Sequence, residues 1–205
     1  MTERRFIITP ESSVPELKQL SNAMNSTVVL LKSMFTEEAE RLEAMRIRAN
    51  SDATTGLANR AHFISQLQAS VEEENAPSGS LVLIRLAGLA AINKTLGRNK
   101  TDELLKRIGQ LLLTHQAKLP DGFAARLNGT DFALLFRRED ALPVTQTLLA
   151  EIRHIFADVA DNFMVSIGFG DYEYGISSGT LLAQVDAALA SAEAIGSSEV
   201  RQSAP

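Results

Sequence analysis

From Leu17 to Ala49 no Pro or Gly interrupts the chain, and apolar residues return at steps of three and four. They run Leu17, Leu20, Met24, Val28, Leu31, Phe35, then Glu38, Leu42, Met45 and Ala49. Nine of these ten positions are apolar. The spacing is that of a heptad seam with one four-residue stutter between Met24 and Val28. Lys32, Glu37, Arg41, Glu43 and Arg46 fall between the seam positions and suit a wet face. Pro15 suits a helix first turn. The pattern therefore predicts one long helix, and its own segment offers nothing to bury the seam. Two arrangements satisfy it: a coiled-coil homodimer, or a helix laid on the chain's own globular part.

Asp52-Ala-Thr-Thr-Gly56 ends that helix, and the patterning then changes. A second helix is predicted from about Asn59 to Glu74, with Phe63 and Leu67 on one face. The stretch from Asn75 to Gly79 reads as a loop, and Leu81–Ile84 as a buried strand. Two helical patterns follow, Leu89–Leu96 and Thr101 to about Gln116, separated by Gly97. Phe123–Leu127 and Asp131–Phe136 read as strands around a tight turn at Asn128-Gly129. Ala141–Ala157 is helical, Phe163–Phe169 a strand, and Gly179–Ile195 a helix with Leu182, Val185, Leu189 and Ala192 on one face. The polar residues after Gly196 read as a frayed tail. The order predicts an α/β (α+β) fold, a mixed sheet flanked by helices and preceded by the long coiled-coil helix.

Composition narrows the chemistry. The chain has 205 residues, enough for one ordinary domain and an extra element. Its net charge of −5 lacks the footprint of a nucleic-acid binder. Without Cys there is no disulfide, thiolate metal site or Cys nucleophile. His62, His115 and His154 make no metal-ligand spacing. No run of 18 apolar residues is present, and the first residues lack the apolar run of a signal peptide.

Several segments resemble one family in order. Asp52-Ala-Thr-Thr-Gly-Leu-Ala-Asn-Arg60 looks like the D-x-L-T-G-L-x-N-R entry of GGDEF domains, the diguanylate cyclase domains that condense two GTP into cyclic di-GMP. Ile92-Asn93, Gly97 and Asp102 keep the spacing of that family's I-N-D-x-x-G-H-x-x-G-D segment. Ala125-Arg-Leu-Asn-Gly-Thr-Asp-Phe-Ala-Leu-Leu135 stands where the family has A-R-x-G-G-D-E-F-x-x-L. Val165-Ser-Ile-Gly168 and Val185-Asp-Ala-Ala-Leu189 match two later segments. The resemblance spans 52–200, with 201–205 as a tail.

The departures fall on charge. The resemblance implies two metal ions, and hard divalent cations take carboxylate oxygens. The family's first metal Asp aligns with Arg85, its next acidic position with Ala87, and the third signature position is Thr130. The signature thus reads Asn128, Gly129, Thr130, Asp131, Phe132. The family's phosphate-holding Lys aligns with Glu193. No catalytic residue, metal or cofactor is then expected. Asn93 and Asp102 align with the residues that bond the guanine edge. They are a guanine-binding remnant, or they serve only as turn and capping residues. The R-x-x-D product-inhibition motif is replaced by Leu119-Pro-Asp-Gly122.

The segment from Pro15 to Asn25 resembles the second helix of a HAMP module, and its continuation the signalling helix that joins HAMP to GGDEF. Residues 1–51 would be that remnant. The combination resembles cyclic di-GMP receptors of the LapD type. It implies the cytoplasmic portion of a bacterial inner-membrane protein, with membrane spans outside these residues. It also implies a homodimer through the long helix, a downstream EAL domain, no nucleic acid, and a biofilm or adhesion output. The rival reading is a GTP-binding regulatory domain that tunes an attached phosphodiesterase.

Overall fold

A computed structural model describes residues 15–72, 78–137, 139–157, 159 and 163–204, with the side chains of residues 15–17 and 20 also outside the description. The chain divides into two compact units between Ala49 and Asn50.

The first unit holds helix α1, Pro15–Asn50, a 36-residue helix. Of the seam, Leu17 and Leu20 have side chains outside the described residues. Met24, Leu31, Phe35, Leu42 and Met45 are 42–58% exposed, and Val28 is half-buried. Val29, Leu30, Met34 and Ile47, which lie off the seam, are also exposed. The helix thus carries more apolar surface than the heptad stripe alone accounts for.

The second unit contains β1 (Ala58–Asn59), α2 (Arg60–Glu72), β2 (Gly79–Ala87), α3 (Leu89–Leu96), α4 (Arg98–Lys118), β3 (Phe123–Arg126) and β4 (Asp131–Arg137). It continues with α5 (Ala141–Phe156), β5 (Met164–Tyr172), α6 (Ser178–Ala194) and β6 (Glu199–Gln202). The sheet order is β1-β3-β4-β2-β5-β6. The outer pairs β1–β3 and β5–β6 are parallel, and the three inner pairs are antiparallel.

Alternation along the central strands builds two cores. Val82, Ile84 and Leu86 of β2 join Phe132, Leu134 and Phe136 of β4 and face a cluster with Ile92 of α3, Leu104, Leu105, Ile108 and Leu112 of α4, and Leu148 and Ile152 of α5. Leu81 and Leu83 join Ala133 and Leu135 and face Phe63 and Leu67 of α2 with Leu181, Val185 and Leu189 of α6. Gly168 makes the second packing possible, because a side chain there would meet the α6 backbone at Val185 and Leu189.

Two expectations need correction. The tail beyond Gly196 is not frayed: Glu199–Gln202 pairs with β5 from Ser166 to Phe169, and the Ser203 amide bonds the Phe169 carbonyl. So Arg201 and Gln202, set apart as tail, belong to the sheet. Four polar-flanked residues give no alternating signal, and the pairing is tertiary. The strand expected at Leu81–Ile84 runs on to Ala87, because Arg85 and Ala87 continue the alternation on the less covered end. The hairpin expected around Asn128-Gly129 is present as the antiparallel β3–β4 pair, with Gly129 absent from the positive-φ residues among those described. Of the loop expected from Asn75, residues 75–77 lie outside the described residues.

Candidate functional site

The register decides which charges meet. Arg85 of β2 and Asp131 of β4 are directly paired across the sheet. Two residues on from Leu83 and two before Ala133, both side chains point to the α6 layer. There Arg85 presents its fork to Asp131, Nε to Oδ1 and Nη2 to Oδ2, both at 3.0 Å. This is a bidentate, charge-assisted pair. Arg85 Nη1 donates to Glu193 Oε2 of α6 at 3.0 Å, and Asp186 of α6 lies 3.7 Å from Nη2. Asp186 and Glu193 are seven apart, two turns along one face of α6. The Arg85 side chain is 28% exposed and that of Asp131 14%.

The turn between β3 and β4 is built by side chains. Asn128 Oδ1 accepts from the Thr130 and Asp131 amides at 2.9 Å, and its Nδ2 donates to Asp131 Oδ2 at 2.9 Å. Thr130 Oγ1 donates to Asp131 Oδ1 at 3.0 Å. Burial would raise the Asp131 carboxyl, but the bonds from Arg85, Asn128 and Thr130 and the Arg85 charge overcome it and hold it below its ordinary value. Asp131 and then Glu193 push the Arg85 guanidinium up, against the effect of burial.

A second arginine holds the same turn from the other side. Arg126, at the end of β3, donates to the carbonyls of Asn128 at 3.0 Å and Gly129 at 2.9 Å. Its Nη1 reaches Asp52 Oδ1 at 3.1 Å, and its Cζ lies 5.8 Å from the Phe132 ring centroid. Asp52 also accepts from the Thr55 amide and hydroxyl at 2.8 Å. Burial raises the Asp52 carboxyl, and the Thr55 and Arg126 interactions lower it further than burial lifts it. Gly109 of α4 lies against Thr55, where a side chain would not fit, so this turn is seated on the domain. The sequence reading missed the part played by Arg126. Its signal was an Arg placed immediately ahead of a turn whose carbonyls had no strand partner.

The structure therefore brings together Arg85, Thr130, Asp131 and Glu193, with Asn128 and Gly129 above them. Ala87 pairs with Met164 two residues farther along β2. Phe132 points into the opposite core. Asn93 and Asp102 are not part of this cluster. They lie on α3 and α4 across the sheet, where Asn93 is exposed and Asp102 has one ion pair, with Arg98 at 3.8 Å. At the Leu119–Gly122 stretch, Asp121 takes φ 51° and the Pro120 carbonyl accepts from the Arg137 amide. No described group of three or more His, Asp or Glu side chains could hold a metal ion, and no described helix is long and apolar enough to cross a membrane.

The family model for the diguanylate cyclase GGDEF domain matches residues 49–199. The cyclic di-GMP phosphodiesterase PdeB of Shewanella oneidensis is 27% identical over 197 residues, covering 89% of this chain and 22% of that protein. The chain spans 42% or less of the curated relatives it matches. The coiled coil and GGDEF domain of DgcB from Caulobacter crescentus, solved with c-di-GMP, superposes with a TM-score of 0.74 at 25% identity, covering 88% of this chain and 100% of that one. The S helix-GGDEF-EAL portion of Vibrio cholerae LapD, bound to c-di-GMP, gives 0.67 at 22% identity, covering 82% of this chain and 40% of that one, a likeness of fold.

Proposed function

This chain belongs to the GGDEF family, and within it we propose a non-catalytic module that relays signals in a transmembrane cyclic di-GMP receptor. The observation that carries the reading is the bidentate Arg85–Asp131 pair. Both oxygens of the signature carboxylate are taken by a guanidinium from the strand where the family places a metal-binding Asp. A divalent cation between them would meet a fixed positive charge and a hydroxyl, Thr130, in place of acids. The residues present do not fit the metal pair of a cyclase. Glu193, at the position of the phosphate-holding Lys, adds a negative charge where a triphosphate would need a positive one, and it is bonded to Arg85 instead.

The proposed setting is a homodimer through the α1 seam, in the cytoplasmic part of an inner-membrane protein, with an EAL domain downstream and an adhesion or biofilm output. The exposed Met24, Leu31, Phe35, Leu42 and Met45 support the dimer, since a coiled coil would cover them. The HAMP resemblance of the segment from Pro15 to Asn25 supports the membrane link.

Incubation with GTP and Mg²⁺ or Mn²⁺ tests the chemistry: no cyclic di-GMP is expected, and measurable turnover would overturn the reading. Sedimentation across concentration tests the assembly. The native chain is expected to dimerise and Leu42→Asn to weaken it, while a strict monomer at ~100 μM removes the physical basis of the relay. At that concentration a dimer of roughly micromolar affinity would be almost fully formed.

A second reading is a GTP-binding regulator of an attached phosphodiesterase. It is favoured by the likeness to PdeB along 89% of the chain and by Asp102, whose carboxylate has a loose partner. Nucleotide titration separates the two.

A further inference from the structure

The bonds described around the signature turn form one continuous series. Asp52, two residues past the last helical residue of α1, binds Arg126. Arg126 binds the carbonyls of Asn128 and Gly129. Asn128 binds Asp131, Asp131 binds Arg85, and Arg85 binds Glu193 near the end of α6. Beyond α6 the chain enters β6, which pairs with β5. Every link has an ionised partner on at least one side, and four of the five charged residues are less than a third exposed: Arg126, Asp52, Asp131 and Arg85. Such bonds are short, directional and less screened than surface pairs.

We propose that this series is a coupling path across the domain, in which the turn that has lost its metal-site acids serves as the mechanical link between the segment entering the domain at Asp52 and the C-terminal end of α6 with the β6 strand that follows it. The proposal rests on the non-catalytic reading and gives its relay a physical route. Arg126 and Arg85 grip the turn from opposite sides, so a shift of Asp52 changes the pull on the Asn128 and Gly129 carbonyls. That displaces Asp131, whose fork bond to Arg85 transmits the change to Glu193. Asp52 and Glu193 make no bond with each other, so any effect of one on the other must pass through intermediate residues.

Hydrogen exchange of the full chain, without nucleotide, tests the path. Asp52→Asn is expected to raise amide exchange over residues 189–196 by about threefold or more, the size of coupling carried by packed networks. In the reverse direction Glu193→Gln, whose side chain is 45% exposed and so should not disrupt folding, is expected to raise exchange at Thr55 and Gly56. The α5 amides, outside the series, should be unchanged in both variants. If each substitution alters exchange only at the residues its own side chain touches, the path does not exist. If Asp52→Asn fails to fold, the Glu193→Gln arm decides alone. Cyclase turnover measured on the native chain reports separately on the non-catalytic reading: product with intact coupling would sink that reading and leave the path standing.

Discussion

The corner built on Arg85 and the stretch that carries Asn93 and Asp102 lie in opposite layers of one sheet. At the corner, three elements contribute four charges, and Arg85 meets the other three: Arg85 of β2, Asp131 of β4, and Asp186 and Glu193 of α6. Across the sheet, Asn93 is exposed and Asp102 holds a single loose pair with an Arg98 that is 87% exposed. The first region keeps its order from its own side chains. The second has polar groups turned to water, free of cost whether or not a ligand comes. A carboxylate left at the corner without a cation would be costly, and Arg85 supplies that cation to Asp131 and to Glu193 together. Around Asn93 the side chain faces water, and no partner is needed to offset burial.

The largest effect should come from breaking the corner. Arg85→Ala leaves the 14%-exposed Asp131 without its fork partner and should destabilise the second unit by about 1.5–3 kcal/mol, the range for bonds to charged groups. Urea unfolding followed by a signal from the second unit measures it. Asp102→Ala, in the other region, should cost within about 0.5 kcal/mol. If the two variants cost the same, the contrast between the regions is wrong.

Acid sharpens the same contrast. The Asp131 carboxyl is held below its ordinary value of 3.8 in the folded chain. Its contribution is therefore complete above about pH 4 and is lost as the pH falls through the depressed value. The native chain should lose stability on acidification from pH 5 to pH 2 more steeply than Asp131→Asn, and the two curves should converge at the acid end. Unfolding midpoints at each pH provide the check, and parallel curves would mean that the Arg85 pair contributes no pH-linked stability.

Much of the fold could be read from the sequence because burial imposes periodicity. The strand at Leu81–Ile84 and the helix face read as Leu182, Val185, Leu189 and Ala192 belong to elements with a covered side, although the residue fully buried at the start of that face is Leu181, not Leu182. What escaped were short parallel pairings: β1 is two residues long, and β6 has a single apolar residue, Val200, so neither has a pattern of its own. At the site, sequence placed Arg85, Thr130 and Glu193 at altered positions, but not their convergence. That convergence depends on the β2–β4 register and on the two-turn spacing along α6. Arg126 was passed over as one residue of a motif, because its targets are backbone carbonyls and carry no sequence signature.

The smallest effect concerns the open region. Titration with GTP should give no saturable binding below millimolar concentration, and Asn93→Ala and Asp102→Ala should leave the weak signal unchanged. Binding in the micromolar range, lost in either variant, would turn the comparison round and favour the GTP-regulated reading. A millimolar limit corresponds to about −4 kcal/mol, which a few exposed hydrogen bonds could supply.

Strand β6 also defines where this unit can be cut. Between Ser198 and Ser203 the chain covers the edge of β5 from Val165 to Phe169: Ser198 Oγ accepts from the Val165 amide, four residues pair in register, and the Ser203 amide closes on Phe169. A fragment ended at Gly196, where the helical pattern stops, would bare that row of backbone groups on a strand whose side chains are buried almost throughout. Such an edge recruits other strands. The practical domain limit for expression, fusion or proteolytic mapping is therefore past Ser203, several residues beyond the last apolar face that the sequence displays.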